Sequence, residues 1–185
     1  LGLLATAYFR AAGALPVIAA DPLESRRNKA LKFGADYALD PTKDGFSDKV
    51  RKLSDGGINA AVEVTGLGIG LDECLDCMAK FGRVALLGCT RDKNFTIDYY
   101  RKVHGPGISL IGAHTLARPE NDSSPGYFTH RDDIKSQLKM LSMKRIDLKA
   151  MIDETHSTSE CAEVYSRLVG EKDFPTFVQF DWRKI

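Results

Sequence analysis

Residues 2–21 read GLLATAYFRAAGALPVIAAD, and the fold follows from this stretch. An apolar, alanine-rich run of helical character stops at Gly13, a residue that takes a left-handed C-cap without steric cost. A short apolar run then climbs to Asp21. The same unit recurs down the chain. Helices are predicted over Leu1 to Ala12, Leu23 to Phe33, Phe46 to Leu53 and Leu71 to Lys80, stopping at Gly13, Gly34, Gly56–Gly57 and Gly82. Each is followed by a short, nearly continuous apolar run: LPVIAAD, YAL, AAVEV and RVALL. Strands of this kind are expected where helices cover both faces of a sheet. Helix–strand alternation with short connections implies right-handed crossovers and a doubly wound parallel α/β sheet.

The rhythm breaks after Leu87. Residues 88–107, GCTRDKNFTIDYYRKVHGPG, read as loop with one helical turn, and ISLIGAH (108–114) as one more strand. ARPENDSSPG (117–126) is rich in turn-forming residues and marks a soft domain boundary near Ser123 to Thr129. Beyond it the pattern predicts an amphipathic helix over Asp132 to Arg145, a strand at LKAMID (148–153), a helix over Thr158 to Val169 and a final strand, FVQFDW (177–182). Two domains are therefore expected, residues 1–128 and 129–185.

Composition sets the outer limits. Hydrophobic residues make up 43% and charged residues 28% of the 185, so a packed core is expected rather than disorder. Net charge is +1, from 26 basic and 25 acidic residues, which argues against a nucleic-acid surface or a basic membrane anchor. No apolar run approaches the roughly 20 residues of a membrane span, and the apolar start lacks the basic region of a signal peptide. The absence of an initial Met leads us to expect a chain that begins in mid-protein. Four cysteines suit a reducing cytoplasm better than a disulfide scaffold. Cys74 and Cys77 form C-x-x-C inside a predicted helix, with no second pair and no His beside them. Two ligands make half a zinc site, so these read as small apolar residues of a helix.

Open parallel sheets bind ligands beyond the carboxyl ends of their strands. Asp21 ends the first strand of this chain, and Gly2 opens the helix before it. A dinucleotide fingerprint has its glycine-rich turn at that helix and an acidic residue roughly 20 positions on. The helix N-terminus offers free N–H groups to a pyrophosphate, and the acid accepts hydrogen bonds from the adenosine ribose. Gly2 would be the last of three glycines, the other two lying outside this sequence. A helix-capping role for Asp21, with Pro22 at a first helical position, is the competing reading. Two further strand ends, Thr65–Gly66 and Gly88, carry small residues that leave room for a ring and its sugars. Glu63 stands in an interior strand, where a carboxylate is costly unless it is hydrogen-bonded. A structural hydrogen bond is its simplest explanation, and a role in the cleft the alternative.

Residues 2–41, then AAVEVTG, FGRVALLG and ISLIGAH in that order, resemble the coenzyme (Rossmann) domain of the medium-chain, zinc-type alcohol/polyol dehydrogenases and reductases. Residues 145–182 resemble that family's return into its catalytic domain. The resemblance implies that Gly2 and Leu3 lie by the pyrophosphate, Asp21 on the ribose and Arg26 along the adenine. It also implies that Thr65, Gly66, Gly88 and Thr90 line the cleft, and that Ile111, Gly112 and Ala113 lie near the nicotinamide. NAD is the implied cofactor. The family's zinc ligands and proton-relay residues match no position here, so no catalytic or metal-binding residue is assigned, and zinc is expected from a missing N-terminal domain. A homodimer through the last strand of the sheet, a small alcohol or polyol substrate and a cytoplasmic setting are further implications.

NAD is preferred over NADP because Asp21 would repel a 2′-phosphate, although Arg26 and Arg27 are both placed to reach one. The first strand of the sheet is expected to be absent from this chain, leaving a central gap. The isolated chain is therefore not expected to be a working enzyme. Of the four histidines, His114 is expected to matter through its backbone, while His104, His130 and His156 read as solvated. Competing functions are a zinc-free quinone-type reductase of the same superfamily, a methyltransferase, or a nucleotide-sensing module without chemistry. The tail beyond Ser123 has no place in a methyltransferase fold.

Overall fold

In the computed structural model, which describes residues 1–89 and 94–184, helix and strand alternate from the start. The order is α1 (Gly2–Ala11), β1 (Ile18–Ala20), α2 (Glu24–Lys32), β2 (Tyr37–Leu39), α3 (Phe46–Leu53), β3 (Ile58–Glu63), α4 (Gly68–Asp76) and β4 (Met78–Leu86). A π-helical turn, Tyr100–His104, precedes β5 (Ser109–Gly112). Then come α5 (His130–Ser142), β6 (Glu154–Ser157), α6 (Cys161–Gly170) and β7 (Val178–Asp181), with short 3-10 turns at Lys149–Met151 and Thr158–Glu160. No helix among the described residues is long and apolar enough to cross a membrane.

The chain divides into two compact units, Leu1–Asp133 and Ile134–Ile185. In the first, β1 pairs with β2, and β3, β4 and β5 form a second sheet, every pair parallel. Among the described residues no strand pair joins the two sheets. That break, between β1 and β3, is where the order 3-2-1-4-5-6 puts the first strand of a doubly wound sheet.

Two apolar clusters hold the first unit. Leu71 and Leu75 of α4 pack with Met78 and Val84 of β4 and with Val103 and Ile108. Leu39, Val50 and Cys77 pack with Ile18, Phe46 and Leu53. Ile58 touches both clusters. Val84 is wholly buried, and each such side chain contributes about 1.5–3 kcal/mol relative to exposure. In the second unit β6 pairs in parallel with β7, and Ile146, Met151 and Val164 are buried.

Three expectations need correction. The helix expected over Leu71 to Lys80 begins earlier, at Gly68, and ends at Asp76. Met78 to Gly82 belong to β4 instead, although Met, Ala and Lys are good helix formers. Propensity is a weak prior beside tertiary pairing. Ile58 pairs with Met78 and Ala60 with Arg83, so the ladder shifts register between them. Phe81 takes φ 63° there, its amide donating to the Pro106 carbonyl at 2.9 Å. Gly57 makes the close approach possible, since a Cβ on it would meet the Ala79 backbone nitrogen at 2.6 Å. The strand expected at residues 148–153 is a 3-10 turn followed by β6. Asp147 explains it, because its Oδ1 accepts the Ala150 amide at 3.0 Å, a local bond that competes with extended pairing. Pro22, expected at a first helical position, lies two residues ahead of α2.

Candidate functional site

β3, β4 and β5 end level with one another, because Glu63 pairs with Leu86 and Leu86 with Gly112. The chain segments leaving these strands are tied together at once. The amides of Leu87 and Gly88 both donate to the Glu63 carbonyl, at 2.9 and 2.8 Å. The Ala113 amide donates to the Leu86 carbonyl at 3.1 Å. Gly88 lies so close to Gly66 that a Cβ on it would overlap the Gly66 backbone, so the contact admits only glycine. Gly66 itself has φ 68°, a left-handed conformation that favours glycine.

The start of α1 joins this edge. A Cβ on Gly2 would stand 3.6 Å from Val64 Cγ2, one residue beyond β3. No side chain caps α1, so its first N–H groups and positive dipole end are free for an anion. The structure therefore brings Gly2, Leu3, Thr65, Gly66, Gly88, Gly112 and Ala113 to one edge. Ile111 pairs with Ala85, one step inside it. Thr90 lies outside the described residues.

Asp21 follows β1 and is held by the other sheet, its amide donating to the Leu39 carbonyl at 3.1 Å. One carboxylate oxygen, Oδ1, accepts the Leu23 amide at 2.9 Å. The other, Oδ2, stands 3.9 Å from Arg26 Nη1. Asp21 therefore makes a local turn onto Leu23, the N-cap residue of α2, and no side chain caps that helix. Arg27 is committed elsewhere. Its Nη1 donates to the carbonyls of Asp21 and Pro22, both at 2.8 Å, and lies 3.7 Å from Asp40. That leaves Arg26 as the cation beside Asp21.

Glu63 is buried, and its Oε1 accepts the Thr65 amide at 2.7 Å and the Thr65 hydroxyl. The Gly66 amide lies 3.1 Å from Oε2. The cysteine pair lies at the end of α4, Cys74 half-buried and Cys77 buried. Burial first, then the nearby Glu63 charge, pushes the Cys74 thiol up to about 11, and burial pushes Cys77 up to about 12. Thiols so raised stay protonated and inert. Among the described residues no three His, Cys, Asp or Glu side chains are placed to hold a metal. The described residues therefore offer no set of zinc ligands.

His156 corrects the sequence reading. It is not simply solvated: its Nε2 meets Glu154 at 2.8 Å and its Nδ1 meets Glu160 at 3.2 Å. Arg167 makes a bidentate pair with the same Glu154, at 2.9 and 3.1 Å. Hydrogen bonds from Arg167 and then His156 hold Glu154 down at about 2, while those to Glu154 and Glu160 raise His156. The spacing foreshadows this, since positions two apart share a strand face. His104 stacks on Tyr100 at 5.6 Å, and His114 accepts the Leu116 amide at 3.2 Å.

Comparison with known proteins gives this geometry its relatives. A family model for zinc-binding dehydrogenases matches residues 1–124. The L-threonine 3-dehydrogenase of Pyrococcus furiosus is 36% identical over 113 residues, 60% of this chain and 32% of that protein. Benzyl alcohol dehydrogenase from Acinetobacter calcoaceticus superposes with a TM-score of 0.76 at 19% identity, over 94% of this chain and 45% of that one. An alcohol dehydrogenase from E. coli CFT073, solved with NADH, gives 0.77 at 15% identity, over 95% and 48%. At such identities the two structures show the shared fold alone. The chain spans less than half the length of each of these three.

Proposed function

The chain belongs to the zinc-binding dehydrogenase family, and on that premise we propose that it is the cofactor-binding part of an NAD-dependent alcohol or polyol dehydrogenase. One observation carries the reading. The level ends of β3, β4 and β5 meet the uncapped start of α1 at Gly2, so a diphosphate and a flat ring have adjoining places along one edge.

In this reading the first amides of α1, from Gly2 and Leu3, hold the pyrophosphate. Asp21 accepts from the adenosine ribose on Oδ2, Arg26 lies along the adenine, and Thr65, Gly66 and Gly88 line the cleft. Ile111, Gly112 and Ala113 carry the nicotinamide end. NAD when bound supplies the hydride acceptor; these residues orient it and exclude water. Residues 129–185 form part of the catalytic domain, and zinc, with the groups that move the substrate proton, comes from sequence outside this chain. β5, whose only described partner is β4, is the dimer edge.

The test uses the full-length protein. NADH formation from NAD with a panel of alcohols, polyols and threonine, with zinc content measured alongside, is expected to show alcohol-dependent reduction of NAD. Absence of NAD binding by calorimetry would overturn the reading.

A further inference from the structure

Glu63 is a buried carboxylate, 7% exposed, and among the described residues it forms no ion pair. Such a charge is costly, and an apolar residue of like size at the same place would commonly be as stable or more so. The carboxylate is compensated instead by one short stretch of chain. Its oxygens accept the Thr65 amide, the Thr65 hydroxyl and the Gly66 amide. The hydroxyl in turn accepts the Leu67 amide at 3.1 Å, the residue that caps α4.

The main-chain carbonyl of the same residue holds the neighbouring strand end, accepting the amides of Leu87 and Gly88. One residue therefore grips both sides of the Gly66–Gly88 contact. Space around the group is closed as well. A Cβ on Gly70 would overlap the Thr65 hydroxyl and stand 3.4 Å from Glu63 Oε1, so the carboxylate lies beside the first turn of α4.

We propose that Glu63 is a positioning residue of the cofactor cleft: through Thr65 it sets the Thr65–Gly66 turn against Gly88, and the affinity for the dinucleotide depends on that setting. The inference rests on the reading of this edge as the cofactor site. Glu63 does not touch the cofactor; it acts through the turn. Glutamine in its place puts an NH2 group where at least one of three donors now points. Valine at position 65 keeps the branched shape and removes the hydroxyl, and serine keeps the hydroxyl.

The experiment measures the dissociation constant of NAD, together with kcat, KM and the unfolding temperature, on the full-length protein. Glu63→Gln and Thr65→Val are each expected to weaken NAD binding about tenfold or more, the scale of a hydrogen bond to a charged group. For Glu63→Gln, at a residue that does not touch the cofactor, KM for NAD should rise while kcat holds within about threefold. The double variant should be no weaker than the worse single one, since both break one contact. Thr65→Ser should restore binding to within about twofold of the parent. Parental affinity in Glu63→Gln, or additive losses in the double variant, would overturn the inference. If Glu63→Gln does not fold, Thr65→Val and Thr65→Ser decide: parental affinity in the first, or no rescue in the second, overturns it. A parent protein that binds no NAD would overturn the functional reading and this inference with it, whereas a binding parent with an indifferent Glu63→Gln overturns this inference alone.

Discussion

Asp21 accepts the Leu23 amide on Oδ1 at 2.9 Å and leaves Oδ2 to face Arg26 at 3.9 Å. The two oxygens have separate duties, and two substitutions separate them. Asp21→Ala removes both the bond to the Leu23 amide and the oxygen proposed to accept from the ribose. Asp21→Asn keeps a carbonyl oxygen for Leu23 but loses the charge. Hydrogen bonds to a charged group contribute about 1.5–3 kcal/mol, so Asp21→Ala should weaken NAD binding by about 10- to 150-fold. Asp21→Asn should keep the parental unfolding temperature, yet weaken NAD and narrow its preference over NADP, because the repulsion of a 2′-phosphate is gone. Calorimetry with both cofactors on the full-length protein reads this, and unchanged NAD binding in Asp21→Ala removes Asp21 from the site.

Gly88 follows β4 and Gly112 ends the adjacent β5, and the space around the two differs. A methyl group on Gly88 has backbone in its way, that of Gly66 and Val64, and neither can yield cheaply. Overpacking of this kind costs about 1–3 kcal/mol, so Gly88→Ala should lower the unfolding temperature and impair NAD binding together. A Cβ on Gly112 would meet nothing within 4 Å among the described residues. Gly112→Ala should therefore leave stability unchanged and reduce NAD affinity, since the added methyl enters the space assigned to the nicotinamide end. Thermal unfolding set beside NAD titration gives the answer, and Gly112→Ala with parental affinity would move the ring elsewhere.

Much of this edge is legible in the sequence, and the reasons are local. Short apolar runs ending at Asp21, Thr65–Gly66 and Gly88 announce strand ends, because both the apolar period and the small residues act within a few positions. The start of β4 is not legible: Met78 to Lys80 read as helix, and it is the pairing of Met78 with Ile58, twenty positions away, that draws them into the strand. Glu63 is visible as an oddity, but its grip on Leu87 and Gly88 passes through a backbone carbonyl, which no side-chain pattern signals. The family resemblance supplied the roles along the cleft; composition and spacing supplied the sheet.

His156 gives the second unit a pH dependence of known sign. Its hydrogen bonds to Glu154, then Glu160, raise it above its ordinary 6.5, so the stabilisation is fully present below that value and fades as pH rises through the higher folded value. Glu154 runs the other way. Held near 2 by Arg167 and then His156, it contributes fully above its ordinary 4.5 and loses that contribution as pH falls through the lower value. The cluster is therefore at full strength between 4.5 and 6.5. It faces solvent, so the effect is modest and shrinks with salt. His156→Gln should unfold earlier than the parent at about pH 5.5, with the difference gone by about pH 9. A gap that is constant with pH would locate the effect in packing against Phe180, 6.4 Å away, rather than in charge.

β5 has one described neighbour, β4, and all four of its residues are exposed. Its free edge presents backbone donors and acceptors beside Leu110 and Ile111, each 37% exposed. No charged residue and no proline blunts the strand, whose sequence is SLIG. Unprotected edges of this kind invite pairing with another chain, and a copy related by a two-fold axis covers both edges at once. If β5 pairs with its counterpart, a charge at Leu110 or Ile111 must be buried in the new sheet without a partner, a heavy penalty on association. Leu110→Lys is then expected to convert a full-length dimer to monomer by light scattering, while the fold of each subunit survives because the position is open to solvent in the single chain. An unchanged mass would place the dimer contact on another surface, and would leave the β5 edge to be covered by a segment of the same polypeptide.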